Sequence, residues 1–312
     1  MTVIEQPSDE FVRLAGPFRR ELLTHCYRML GSVQDAEDLV QETYLRAWRA
    51  YEDFEGRASM RTWLYRIATN ACLNALRNGG RRVLPAGLGG PIADPAAIGP
   101  RDPEITWLEP IADEQADPAA IVAGRAGLRL ALIAALQHLP PRQRTVLILR
   151  DVLAWSAEET GDALGISATA VHSTLQRARA RLDRLDPAID EIAEPAEPER
   201  RDLLDRYADA FERADMAALA RLLTADAVWE MPPNPSWFAG RDAVLRLLEV
   251  RLAAKRSRLV PVRANGQPGF AMYVDGEAFA VQVVTLRGPA IAAVTAFHDA
   301  ALVERFGLPR RL

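Results

Sequence analysis

FEGRASMRTWLYRIATNACLNALRNGGRR, residues Phe54 to Arg82, decides the reading of this chain. Leu64, Ile67, Ala68, Ala71 and Leu76 recur at helical spacing, which predicts a helix over Met60–Asn78 behind a loop broken by Gly56. Arg66, Asn70, Asn74, Arg77 and Arg81 fall on the opposite stripe of that helix. No Asp or Glu occurs between Gly56 and Ala93, whereas Arg57, Arg61, Arg66, Arg77, Arg81 and Arg82 all do. Guanidinium groups neutralise phosphates, and Phe54, Trp63 and Tyr65 add flat faces among them; that combination suits a single nucleic-acid strand. Trp63 is expected in the core rather than against a base, because tryptophan in a small helical bundle packs.

Upstream, Leu14, Phe18, Leu22, Cys26 and Met29 predict a helix over 13–31 closed by Gly31. Ser32 to Tyr51 reads as a second helix with Ala36, Leu39, Val40, Thr43, Tyr44 and Ala47 on one face. Asp38, Gln41, Glu42 and Leu45 lie off that face, either as solvated surface or as a docking surface for a basic partner.

Downstream, residues 81–117 are rich in Gly, Pro, Ala and acid without a sustained period, the composition of a linker. Trp107-Leu108 inside it marks a point of contact. LRLALIAALQHL from Leu128 is helical and stops at Leu139-Pro140-Pro141, after which Arg142 to Leu153 forms another helix. Ser156 with Glu159 three residues on is a capping box for a short helix ending at Gly165. Ser167 caps the next, which buries Val171, Leu175, Ala178 and Leu182 and exposes Thr169, His172, Ser173, Gln176 and Arg179. Two helices joined by a tight Gly-containing turn, the second polar and basic, read as a helix-turn-helix that enters the DNA major groove.

The charge distribution agrees. The net charge of -4 averages blocks of opposite sign: residues 11–82 hold twelve Arg against eight acids, 91–125 two against seven, and 126–186 eight against six. Two basic blocks therefore flank an acidic connector. Lys255 is the single lysine, a compositional habit more than a binding requirement. Cys26 and Cys72 are too few for a disulfide framework, and no Cys/His spacing suggests a metal, so no cofactor is expected. With no apolar run of membrane-spanning length and no leader pattern, a cytoplasmic protein without membrane partners is expected.

After an acidic tether over 186–199, the texture changes. Helices over 200–214, 216–223 and 240–253 mix with strands near 227–231, 259–264, 269–274, 278–286 and 291–298, the pattern of an α+β domain. The organisation expected is a region of 11–82, a linker of 83–125, a helix-turn-helix block of 126–185, a tether of 186–199 and an α+β domain of 200–312.

Asp35-Ala-Glu-Asp-Leu-Val-Gln-Glu-Thr43, Arg61-Thr-Trp-Leu-Tyr-Arg-Ile-Ala68 with Asn70, and Leu139-Pro-Pro-Arg-Gln-Arg144 with the helix-turn-helix resemble regions two and four of extracytoplasmic-function RNA polymerase sigma factors. Ala227-Val-Trp-Glu-Met231 and Trp237-Phe-Ala-Gly240-Arg, with the closing strands, are similar to SnoaL-like cone domains. The resemblance implies a multidomain fold: two all-α sigma domains, a region 2 bundle and a region 4 helix-turn-helix, followed by an α+β cone.

It also implies partners and sites. Asp38, Gln41, Glu42 and Leu45 would bind the β′ clamp of core RNA polymerase, whose β flap would take region 4. Phe54, Arg57, Arg61, Arg66, Asn70, Asn74, Arg77 and Arg81 would capture and open the minus-ten element, with base flipping offset by pocket and phosphate contacts. Arg144, Ser167, Thr169, His172, Ser173, Gln176, Arg177 and Arg179 would meet the minus-thirty-five element. His172, where many relatives carry a basic or amide side chain, and Gly161, often alanine, depart from the common pattern. A promoter-specificity subunit is not an enzyme, and no catalytic residue is assigned. The alternatives are a cone that catalyses with Asp226, Glu230, Asp242, Asp275 or His298, or one that senses a small molecule in a pocket of Trp229, Glu230, Trp237 and His298. An anti-sigma factor or small-molecule ligand is the further partner expected, with the cone regulating in cis.

Overall fold

The computed structural model describes residues 9–56, 58–123, 128–184, 196–253 and 255–312. Arg57 and residues 186–195 of the expected second tether lie outside the described residues. Two compact units form: one runs to Arg82 and resumes at Glu114 as far as 184, and the other joins Val83–Asp113 to the residues from 196 onward.

The first unit is helical. The helix expected over 13–31 is two, α1 (Asp9–Ala15) and α2 (Arg19–Leu30), joined by a 3-10 turn at Gly16–Phe18. Pro17 has no N–H with which to continue an α-helical ladder. Gly31, at φ 72°, closes α2 with its N–H on the Tyr27 carbonyl, and Ser32 caps α3 (Val33–Arg49) by accepting from Asp35 N at 3.1 Å. Ser59 caps α4 (Met60–Asn78) in the same way. Leu22, Cys26, Met29, Val40, Leu64 and Cys72 are wholly buried between α2, α3 and α4.

The second half of this unit contains α5 (Pro118–Ala123), α6 (Leu130–Leu136), α7 (Pro141–Leu147), α8 (Ala157–Leu164) and α9 (Ala168–Leu182). A helix over Arg142–Leu153 was expected; α7 instead widens into a π-helical turn at Ile148–Val152. Gly161 lets α8 and α9 close up: a Cβ there would stand 2.6 Å from the Ile166 carbonyl oxygen.

These helices pack directly on the first block. Arg144 is 3% exposed, and its guanidinium donates to Gln137 Oε1 at 2.8 Å, to the carbonyls of Gln137 (3.1 Å) and Leu139 (3.3 Å), and to the Met29 carbonyl at the end of α2. Burial lowers its pKa only to about 10, so it stays charged. The Tyr65 and Trp155 rings lie 5.7 Å apart across the same seam.

The second unit is the cone. Helices α10 (Glu197–Glu212) and α11 (Met216–Leu222) precede strands β1 (Leu223–Glu230) and β2 (Trp237–Ala239), then α12 (Arg241–Leu252). Strands β3 (Ser257–Ala264), β4 (Gln267–Val274), β5 (Glu277–Arg287) and β6 (Ala290–Phe297) follow, with α13 (Ala300–Arg305) last. The sheet order is β2-β1-β6-β5-β4-β3, and only β1 and β6 run parallel. Asn265-Gly266 and Asp275-Gly276 take left-handed conformations and make the two tight hairpin turns. Strand β2 and helix α13 were not legible in the Pro-rich loop and the C-terminal residues. Helices α10, α11 and α12 cover one face of the curved sheet over a core that includes Phe211, Trp229, Leu247 and Phe270.

Replacing Arg144 by Ala leaves several buried acceptors without their donor, so the helical unit should lose about 3 kcal/mol. Urea denaturation of the full chain measures this, with exposed Arg142→Ala expected to stay within about 0.5 kcal/mol of wild type. A second expectation concerns His25, wholly buried against Thr69 (Nε2 to Oγ1 2.9 Å), whose pKa burial and nearby Arg28 push down to about 3. Unfolded His25 binds a proton below about 6.5 while the folded form does not, so stability falls as pH falls through that window, by about 2 kcal/mol at pH 5. The pH 7 to pH 5 difference in stability should shrink by that amount in His25→Gln.

Candidate functional site

Three surfaces of the helical unit present the residues expected to make contacts. On α3, Asp38, Gln41 and Leu45 are exposed and Glu42 half-buried, with Glu42 paired to Arg46 one turn on at 2.6 Å. Leu45 is 50% exposed, which gives this acidic face an apolar centre.

On α4, Arg66, Asn70, Asn74 and Arg77 are exposed along one stripe, whereas Arg81, expected on the same stripe, is exposed beyond the helix, which ends at Asn78 before extended Gly79. Arg77 bonds Asn74, and Arg81 Nη1 meets His138 Nδ1 at 3.0 Å. Arg61 differs from the rest: its Nε donates to Glu21 Oε2 at 2.6 Å and its guanidinium sits 5.0 Å over the Tyr65 ring. That ties α4 to α2, so Arg61 is a positioning residue first. Trp63 is buried and stacks on Phe54 at 4.6 Å. Asp53, Phe54, Glu55, Ala58, Trp63 and Arg66 line a recess of about 340 Å³ at the head of the stripe. The loop thus presents a hollow the size of a flat ring system, with polar groups at its rim.

On α9, Ser167, Thr169, His172, Ser173, Gln176, Arg177 and Arg179 are exposed, opposite buried Val171, Leu175 and Ala178. Ser167 is engaged as the helix cap, accepting from Ala170 N at 3.2 Å. Arg179 forks onto Asp151 at 2.9 and 2.6 Å, an exposed and therefore weak pair. Arg144 does not join this surface. The sequence places it beside the helix-turn-helix, but burial removes it from any DNA face in this arrangement.

The linker is the largest correction. Expected as a solvated tether, residues 83–113 are stitched to the cone. Val83 bridges Trp107, and Leu108 and Ile111 are fully buried. Ala86 N donates to Glu230 Oε1 (2.8 Å), Trp237 Nε1 to the Gly89 carbonyl (2.8 Å), and Gly99 N to Ser236 Oγ (3.1 Å). At the far end Ile111 N donates to Asn265 Oδ1 (3.1 Å), while Asp113 accepts from Gly266 N (2.7 Å) and Arg263 Nε (3.0 Å).

This clasp reassigns two residues expected in the cone cavity. That cavity, about 240 Å³, is lined by Trp229, Met231 and His298 but not by Glu230 or Trp237. Neighbours on a strand point to opposite faces, so Trp229 and Glu230 cannot share a pocket. Glu230 is buried under the linker, its pKa raised by desolvation and moderated by the bonds from Ala86 N and Thr295 Oγ1. Asp226, Asp242 and Asp275 do not line the cavity either. Arg101, Arg251 and Lys255 do, and sequence reading missed all three. Helical spacing alone would have found Arg251, one turn beyond Leu247. Among the described residues no group of three His, Cys, Asp or Glu is placed to hold a metal, and no helix is long and apolar enough to cross a membrane.

Residues 14–82 match the Sigma-70 region 2 family, 129–182 the Sigma-70 region 4 family, and 204–303 the SnoaL-like domain. The chain is 50% identical to ECF RNA polymerase sigma factor SigG of Mycobacterium tuberculosis, over 98% of this chain and 87% of that protein. It is 29% identical to SigJ of the same organism over 74% of this chain and 69% of SigJ. The crystal structure of SigJ superposes with a TM-score of 0.64 at 23% identity, covering 94% of this chain and 98% of that one, and so shares its fold. With half its residues identical to a curated relative along nearly its whole length, the chain belongs to the extracytoplasmic-function RNA polymerase sigma factors: it is a transcription-initiation subunit that partners core polymerase and promoter DNA, not an enzyme, and it carries a SnoaL-like domain.

Proposed function

We propose that this sigma factor opens the minus-ten element with the α4 stripe and its recess, reads the minus-thirty-five element with α9, and is regulated in cis by its cone, which holds the linker between the two DNA-binding blocks. The clasp of residues 83–113 is the observation that carries the regulatory reading. A connector bonded through 86–99 and again at 111–113 to a β-sheet domain is withdrawn from other uses, and a sigma factor bridging two promoter elements needs that connector. The cone then acts as a brake whose release frees the linker.

Roles follow for the surfaces. Asp38, Gln41, Glu42 and Leu45 form the core-polymerase face. Arg66, Asn70 and Arg77 follow the opened strand, with a base turned into the recess beside Trp63. Thr169, His172, Ser173 and Gln176 reach base edges while Arg177 and Arg179 take phosphates. The work takes place in the cytoplasm, in keeping with a partner that transcribes chromosomal DNA.

Permanganate footprinting on a cognate promoter tests the stripe: Arg66→Ala with Arg77→Ala should leave the minus-ten thymines unreactive and lower the salt slope of binding by about 1.4. Normal opening by that variant would remove the stripe from the mechanism. The brake is tested by run-off transcription with Asp113→Ala and Asn265→Ala combined in the full chain. Output should rise several-fold, and limited proteolysis should cut within 83–113; unchanged output from a chain whose linker is demonstrably cleavable would refute regulation through the clasp.

A further inference from the structure

The cone cavity has a composition that the transcriptional role does not use. Its inner wall is mostly apolar, built by Phe211, Trp229, Leu247, Leu248 and Met272, with buried Gln282 as its polar member. At its rim stand three cations, Arg101, Arg251 and Lys255, and none of them has a carboxylate partner among the described residues. Among the described residues no Asp or Glu lines the cavity. Proton-transfer chemistry with a carboxylate base therefore has no group to perform it, and three like charges around one opening await an anion.

We propose that this cavity binds an amphipathic organic acid, with a medium-length apolar body against the inner wall and one carboxylate at the rim between Arg101, Arg251 and Lys255. A volume of about 240 Å³ sets the size of that body: a medium-length acyl chain or two fused rings, not a large polycyclic ligand. His298 supports the polarity assignment. It packs beside Phe279 with ring centroids 4.9 Å apart, and burial, with Arg251, Arg101 and Lys255 adding positive charge, lowers its pKa to about 4. The imidazole is thus neutral at pH 7 and leaves the rim cations as the charged groups facing the ligand.

The site deepens the regulatory reading given above and depends on it only for its consequence. Arg101 belongs to the clasped linker, so an acid bonded to it exists only while the linker is docked. Binding would tighten the brake, because the ligand favours one arrangement alone.

Isothermal titration of the full chain with decanoate, 2-naphthoate, decanol and acetate tests the proposal at pH 7. At least one of the two apolar acids should bind saturably, roughly tenfold or more tighter than decanol, and acetate should not saturate in the same range. Arg251→Met and Arg101→Met should each weaken the acid about tenfold while leaving decanol unchanged. In NMR titrations the bound acid should raise the His298 pKa, and decanol should not. Equal binding of acid and alcohol would overturn the proposal, as would absence of binding by both acids to a chain with an unaltered melting curve. Either result leaves the clasp intact as a brake; conversely, unchanged transcription of the clasp variant would end the brake reading while acid binding stood.

Discussion

The buried carboxylate of Asp113 fixes the far end of the linker to the β3–β4 turn, accepting from Gly266 N and Arg263 Nε. A carboxylate this enclosed is tolerated only with its lone pairs occupied, so the turn and the linker define each other's geometry. Asn265 completes the joint in both directions, its side chain accepting from Ile111 N and its backbone N donating to the Ile111 carbonyl at 2.9 Å. Between Ala86 and Gly99 the linker is held at short intervals to β1, β2 or the segment between them, and Glu109 pairs with Arg305 on α13. The cone is less an appended domain than the second wall of the linker.

Arg144 plays the corresponding part in the helical unit. It sits in the last turn of α7, and its donors reach the end of α2 and the turn after α6, so the helix-turn-helix block is keyed to the region 2 bundle by one guanidinium. A buried cation with several carbonyl partners is directional in a way that apolar packing is not, and it specifies one docking register. Its position beside exposed Arg142 explains how a sequence reading assigns it to DNA: adjacent arginines on one short helix differ in role only through what surrounds them.

Periodicity made most of the fold legible. Met60–Asn78, the Ser156 capping box and the α8–α9 turn stand where spacing and caps put them, because those signals are local. Apart from Pro17, a local breaker, the misreadings have non-local causes. Pro17 splits a helix whose apolar spacing runs straight through it. The 83–113 segment has a linker's composition, but its backbone N–H groups find acceptors in Glu230, Ser236 and Asn265, more than a hundred residues away. In the cone, Trp229 and Glu230 were grouped as neighbours in sequence although a strand sends them to opposite faces. The rim cations of the cavity come from a linker, a helix end and a loop, and no spacing rule joins those.

The clasp also dictates an order of assembly. Ala86 bonds a residue 144 positions later, Ile111 one 154 later, and Trp237 reaches back 148 positions to Gly89. Pairings so distant in sequence form late, after local helices have closed. On the ribosome, the helical unit is complete by α9, before any strand of the cone has emerged. Each newly made molecule therefore passes through a period in which both DNA-binding blocks exist and the linker has no wall to lie against. Synthesis rate and cone folding rate together determine how long that interval lasts.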